Sequence, residues 1–338
     1  MYVKRLKLYG VNGFRFDLPR DGAELPQATR KRMLLQGGNG SGKTTVIETI
    51  AGLWEKFGMM IDQQTSAFKF NPSSRWSAEL NAMQLGDFPR PGQDFWIAVG
   101  TLNGVDSLKK AYPDTPLACL QRSGKDYHIE LPPGDWKGTK VRSQEGVEPL
   151  PNIVHFPPDA RSMQSSWSGG AKRLDLYDCN WLANFNSQFD LDSLLFTVRA
   201  TQPERHAEAL RLFNQMLAPA GKRVSAAEGR DGRLSIEHFE EPQSPPHPWT
   251  ALSSGERQML LLVVYTVCLL REHSVLLIDE PDLHIHIGMI AQLMETLERV
   301  VRERDSQLIV AAHSQLVWDW FARDEERIEL GRWQGGSP

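Results

Sequence analysis

The sequence predicts an α/β fold with a mostly parallel sheet, and three observations carry that prediction. From residue 256 onward a helical stretch (256–271), a short apolar strand (274–279), a helix (288–303) and another strand (307–312) alternate with short links, the pattern of βαβ units. Near the start, the apolar triplet Met33-Leu34-Leu35 runs into the turn Gly37-Gly38-Asn39-Gly40-Ser41-Gly42-Lys43-Thr44, after which 44–54 reads as a helix. The strand Val275-Leu276-Leu277-Ile278 ends on two acids, Asp279 and Glu280.

The remaining elements follow from texture. Residues 2–9 and 14–18 alternate apolar with polar side chains, as half-buried strands do, around a Gly/Asn turn at 10–13. Further strands are expected at 95–102 and 126–131 among Pro- and Gly-rich loops. Between 174 and 217 the apolar residues Leu182, Phe185, Phe189, Leu194 and Leu195, then Ala209, Leu210, Phe213 and Leu217, recur at three- and four-residue spacing, which predicts a helical subdomain. Arg230-Asp231-Gly232 offers a hairpin turn before a strand at 233–239, and the proline-rich 242–248 forms a stiff connector. Three parts are therefore expected: 1–165, an N-terminal lobe with an antiparallel β subdomain; 166–250, the helical subdomain and connector; and 251–338, the C-terminal part of the lobe.

Composition excludes several classes. With 41% hydrophobic residues in a chain of 338, a sizeable core forms without disulfides, and the three cysteines, Cys119, Cys179 and Cys268, are too dispersed for a disulfide framework or a metal cluster. The longest apolar run, 259–270, falls short of the roughly twenty residues that span a bilayer, and the N-terminus lacks a signal-peptide pattern. A cytoplasmic protein without membrane insertion is the expectation. A net charge of −4 argues against a polyanion-binding surface overall; nucleic acid remains a candidate partner only through local clusters such as 30–32, 109–110, 302–304 and 4–5, which also read as solvated faces. The ten tryptophans, Trp76, Trp96, Trp136, Trp167, Trp181 and Trp249 among them, suit either a core or a partner surface.

The chemistry concentrates in three places. In the loop 37–44, backbone N–H groups from Asn39 to Thr44 can wrap a β-phosphate at the positive end of a helix dipole. Lys43 supplies a point charge for the β- and γ-phosphates, the Thr44 hydroxyl is a ligand for Mg²⁺, and Thr45 joins the nucleotide-binding set. Asp279 delivers a carboxylate to the metal at the strand's C-terminal edge, and Glu280 is placed to polarise an attacking water; alone, either acid could equally cap a helix. Third, Leu252-Ser253-Ser254-Gly255-Glu256-Arg257-Gln258 precedes an apolar helix. It reads as a helix N-cap through Ser253 or Ser254, or as an anion site made by the unpaired N–H groups of that terminus.

With these motifs the chain resembles the ATP-binding-cassette (ABC) ATPases, specifically the non-transporter branch of Rad50, SMC, RecF and OLD-like proteins. The likeness covers the first 55 residues and 250–315. Residues 37–44 match the Walker A loop, 252–256 the signature, Asp279 and Glu280 the end of Walker B, and His313 in Val-Ala-Ala-His-Ser the switch histidine. The run 279–286 (Asp-Glu-Pro-Asp-Leu-His-Ile-His) is similar to the compact OLD-like form. Asn12-Gly-Phe14-Arg15-Phe16 is similar to the strand near the adenine in Rad50-like heads, and 153–161 to a buried strand and proline-arginine turn of OLD-like ATPases. Ser254 and Glu256 depart from the transporter signature, and none of Gln63, Gln64 and Gln93 can be assigned as a Q-loop residue.

The resemblance implies a P-loop fold of ABC type, a mixed sheet with an antiparallel β subdomain and an inserted signature subdomain. It also implies ATP and Mg²⁺ as ligands, hydrolysis of ATP, and a homodimer with two composite sites. In each site Lys43, Glu280 and His313 are catalytic, Thr44 and Asp279 hold the metal, and the partner's signature, Ser253, Ser254, Gly255 and Glu256, closes on the γ-phosphate. A clamp in DNA repair or in defence against phage and plasmids, working with a separate effector nuclease or toxin, is the expected role. Alternatives are a slowly hydrolysing ATP sensor that holds or releases a toxin partner, and the cytosolic ATPase subunit of a transporter. His284 and His286 fit a dimer-facing turn better than a metal site.

Overall fold

The computed structural model describes residues 1–11, 14–18, 31–63, 80–86, 94–123, 126–131, 150–158, 174, 181–185, 190–225, 234–239 and 243–331. Its centre is a six-stranded sheet in the order β15-β3-β14-β13-β8-β9, made of β3 (Arg32–Gln36), β8 (Ile153–Phe156), β9 (Leu182–Asn184), β13 (Val275–Asp279), β14 (Gln307–Ala311) and β15 (Arg327–Glu329). Every pairing in it is parallel. Residues on β3, β13 and β14 are buried on both faces, as their unbroken apolar runs require. The register sets Leu35 of β3, Ala311 of β14 and Asp279 of β13 side by side. Three strands thus end at one level, and the segments that leave them, 37–44, 312–314 and 280–286, emerge at the same edge.

One face of this sheet carries α1 (Lys43–Gln63), which runs on past the expected 44–54. Its other side is covered by a second sheet, β2-β1-β4-β5-β6-β7, comprising β1 (Tyr2–Val11), β2 (Phe14–Leu18), β4 (Leu80–Gly86), β5 (Phe95–Thr101), β6 (Leu117–Ser123) and β7 (Asp126–Glu130). Four of its five pairings are antiparallel; β5 and β6 run parallel through the helix α2 (Leu102–Ala111) between them. α1 is therefore buried between two sheets. Met33, Leu35, Leu277 and Ile309 from one and Leu6, Leu8, Met83 and Ile97 from the other share a core with Ile47, Ile50, Trp54 and Phe57 of the helix. Trp54 stacks near Phe57 and Trp181 at ring-centroid distances of 5.1 and 5.6 Å, and each such buried ring is worth about 1.5–3 kcal/mol.

The opposite face of the parallel sheet packs on α3 (Leu191–Thr201), α4 (Pro203–Leu217), α5 (Ser254–Leu269) and α6 (Ile287–Glu303). Between α4 and α5 a small antiparallel sheet is formed by β10 (Lys222–Val224), β11 (Ser235–His238) and β12 (His247–Pro248). After β14, α7 (Gln315–Trp320) leads to β15. No helix of the described residues is long and apolar enough to cross a membrane.

Several local expectations are corrected. Leu182 and Phe185 do not begin a helix. β9 adds to the edge of the parallel sheet, where Phe185 N donates to His155 O at 2.9 Å, so tertiary pairing overrides the helical spacing. It lies within 166–250 yet belongs to the central sheet. β1 continues through Gly10 and Val11, with an irregular register between Leu8 and Val11. Asn12, Gly13 and the turn 230–232 lie outside the described residues. Trp96, Trp181 and Trp249 are buried in the core; Trp76, Trp136 and Trp167 fall outside the described residues.

Candidate functional site

The loop 37–44 bridges the end of β3 and the first turn of α1. Gly37 has no room for a side chain, because a Cβ there would lie 2.7 Å from the carbonyl oxygen of Leu330 and 2.7 Å from Ser41 Oγ. Leu330 directly follows β15, and its N–H donates to Gln36 O at 2.8 Å. Lys43 folds back over the loop and donates from Nζ to the carbonyls of Gly37 (2.9 Å) and Gly38 (3.1 Å). Burial holds its pKa below the usual lysine range, although Asp279 and Glu280 pull the other way. These two bonds fix the cation over the loop.

Thr44 and Asp279 meet beneath it, the threonine hydroxyl donating to Asp279 Oδ2 at 2.6 Å. Asp279 is 3% exposed at the tip of β13. Glu280 follows with φ 52° while its N–H still pairs with Ala311 O at 2.7 Å. A left-handed conformation at a non-glycine residue costs of order 1–3 kcal/mol, and here it turns the chain out of the sheet at the level of the loop. Glu280 Oε1 then stands 3.7 Å from His313 Nε2, which β14 delivers to the same edge. Five side chains from two strand ends and one helix converge.

The signature segment starts α5. Ser253, not Ser254, is the N-cap: Ser253 Oγ accepts from Glu256 N at 3.3 Å, and Glu256 Oε2 accepts from Ser253 N at 2.9 Å and from Ser253 Oγ at 2.8 Å. Ser253 and Ser254 are exposed, whereas Gly255 and Glu256 are buried. Gly255 touches the turn that follows Glu280, since a Cβ on it would fall 2.7 Å from His284 O. In that turn His286 caps α6, its Nδ1 accepting from Gly288 N at 3.2 Å. Among the described residues no group of three or more His, Cys, Asp or Glu side chains could hold a metal ion. A small cavity of about 60 Å³ lies between the start of α5 and the sheet edge, lined by Phe156, Phe185, Trp249, Arg257 and Asp279 among others.

Residues 140–319, more than half of the chain, match the family described as "AAA domain, putative AbiEii toxin, Type IV TA system". The chain belongs to this family. Among curated proteins, Protein ea59 of Escherichia phage lambda is 32% identical over 66 residues, which is 20% of this chain and 13% of that protein; the chain thus spans only a small part of that relative. Among solved structures, the SMC head bound to the C-winged helix domain of ScpA superposes with a TM-score of 0.52 at 15% identity, covering 94% of this chain and 91% of that one. The shared feature is the fold. The fold is that of an SMC head, and in it the 37–44 loop, the acid-tipped strand and His313 share one sheet edge.

In this family member some candidate residues fall away from the site. Gln63 ends α1, twenty residues beyond Lys43 and so about 30 Å along the helix at 1.5 Å per residue. Gln64 and Gln93 lie outside the described residues, as do the side chains of Phe14 and Arg15. Several residues of the basic clusters form ion pairs: Arg32 with Glu298 (2.7 Å) and Glu326 (3.2 Å), Lys31 with Asp305, Lys4 with Asp94 (2.8 Å), and the buried Arg304 with Glu208 (3.3 Å). Two contributors are not evident in the sequence: the Leu330 carbonyl behind Gly37, and Lys222, whose Nζ reaches Glu256 Oε1 at 2.8 Å.

Proposed function

We propose that two copies of the chain close head to tail around two ATP molecules, each site combining one copy's 37–44 loop, Asp279, Glu280 and His313 with the other copy's Ser253 turn. The observation that carries this is the division within one chain. Lys43, Thr44, Asp279, Glu280 and His313 gather at one sheet edge, while the exposed Ser253 hydrogen-bonds only within its own turn among the described residues. A second copy related by a twofold axis supplies the missing half twice.

The residues present suit a magnesium nucleotide. Thr44 Oγ1 and Asp279 offer hard oxygen ligands already 2.6 Å apart, and the ion supplies charge compensation for the phosphates. Lys43 exchanges the carbonyls of Gly37 and Gly38 for the β- and γ-phosphates. Glu280 accepts a hydrogen bond from the attacking water and orients it in line, and His313 beside it donates to the γ-phosphate. Ser253 of the partner copy donates its hydroxyl hydrogen to the same phosphate, so hydrolysis releases the closed dimer.

The family's description as a toxin of a toxin–antitoxin system favours a role in defence against phage or plasmids over one in DNA repair. In this role the closed dimer presents or releases a separate effector. Light scattering of Glu280→Gln with and without Mg-ATP tests the mechanism, with Lys43→Ala as control. ATP should double the mass of Glu280→Gln and leave Lys43→Ala a monomer. A Glu280→Gln protein that binds ATP yet stays monomeric would overturn the composite site.

A further inference from the structure

The proposed signature turn must receive a phosphate, yet it carries a carboxylate. Glu256 sits at the third position of α5 with its side chain only 8% exposed, and both oxygens are occupied. Oε2 takes two hydrogen bonds from Ser253, and Oε1 takes Lys222 Nζ at 2.8 Å. Lys222 comes from β10 of the small antiparallel sheet, 34 residues earlier, so this contact is made by the fold and not by the helix. Burial alone would raise the Glu256 carboxyl above its ordinary pKa; the hydrogen bonds from Lys222 and Ser253 bring it below. The pair is therefore a salt bridge at neutral pH.

Two consequences follow from elementary chemistry. Ser253 has one hydroxyl hydrogen, donated here to Glu256 Oε2, and a γ-phosphate would have to compete for it. An uncompensated carboxylate beside that hydroxyl would also repel the incoming phosphate, in partly buried surroundings where the repulsion is poorly screened. Lys222 offsets both effects by drawing negative charge from Glu256. It is not needed to build the turn, because the reciprocal cap of Ser253 and Glu256 forms within α5 itself.

We infer that Lys222 is a positioning residue of the composite site, neutralising Glu256 so that the Ser253 hydroxyl can turn to the γ-phosphate held by the partner copy. This role rests on the composite-site reading above.

The test compares Lys222→Met, Lys222→Arg and the double variant Lys222→Met/Glu256→Gln, each in the Glu280→Gln background for dimerisation and in the native background for kcat and KM. Binding of mant-ATP to the monomer reports folding and an intact Walker A loop, and should stay within about twofold for all three. Lys222→Met should weaken ATP-dependent dimerisation at least about tenfold and lower kcat, Lys222→Arg should hold close to the parent, and the double variant should recover to within about threefold. If Lys222 served only to brace the turn, removing the Glu256 charge would not rescue Lys222→Met. A Lys222→Met protein that dimerises like its parent, or a double variant no better than the single, overturns the role. A parent that never dimerises with ATP overturns the composite-site reading and this role together.

Discussion

Gly255 shows how closely the two ends of the site are built against each other within one chain. Its missing side chain admits the carbonyl oxygen of His284, to which a Cβ would come within 2.7 Å. His284 itself sits at φ 66°, four residues after the strained Glu280, so the signature turn leans on the segment that Walker B launches. Gly255→Ala should therefore leave mant-ATP binding to the monomer unchanged, cost about 1–3 kcal/mol of stability through overpacking, and lower ATP turnover at least about tenfold. Steady-state turnover with a thermal melt checks it, and normal turnover would show that the contact carries no functional load. At this scale the sequence was legible wherever chemistry is local. The Lys43, Thr44, Asp279 and Glu280 readings need only a loop and a strand end, and the choice between Ser253 and Ser254 was settled by the reciprocal bonds to Glu256. Lys222 was illegible because its meaning depends on a partner 34 residues away.

Among the elements, the central strands read plainly from their apolar runs, but the edge strands did not. β9 and β15 are three residues each and owe their conformation to neighbours that only the fold provides. β8 carries a further cost invisible in its pattern. His155 is 3% exposed among apolar residues, and neither ring nitrogen has a hydrogen-bond partner among the described residues. Strand alternation places it on the α1 face with Ile153, while Val154 and Phe156 face the helical side. Burial lowers its pKa to about 4. Above its ordinary pKa of 6.5 neither the native nor the unfolded state takes up a proton here. Between that value and about 4 only the unfolded chain does, so stability falls as pH falls. At pH 5.5 the loss is about 1.4 kcal/mol. His155→Leu should remove this component, giving a shallower decline between pH 7.5 and 5.5 in urea titrations; an unchanged slope would mean that the ring takes up a proton in the folded state.

For the whole molecule, the proposed closure of two copies gives each chain two unlike halves of a site to contribute, the edge with the 37–44 loop and the Ser253 turn. Such an arrangement makes a sharp demand on mixtures. Glu280→Gln spoils only the edge with the 37–44 loop that a copy contributes, and Ser253→Ala spoils only its signature turn. Either variant alone forms two defective sites per dimer and should be nearly inactive. Mixed in equal amounts before ATP is added, half of the dimers contain one chain of each kind. In those, the Ser253→Ala chain's intact edge meets the Glu280→Gln chain's intact turn at one site, while both defects fall together at the other. With independent sites the mixture should regain about a quarter of the wild-type turnover, half the dimers each with half their sites. Turnover per chain should also rise with protein concentration until the dimer saturates. An inactive mixture whose mass still doubles with ATP would show that the two sites fire only together, whereas single variants that each keep wild-type turnover would show that a chain completes its site unaided.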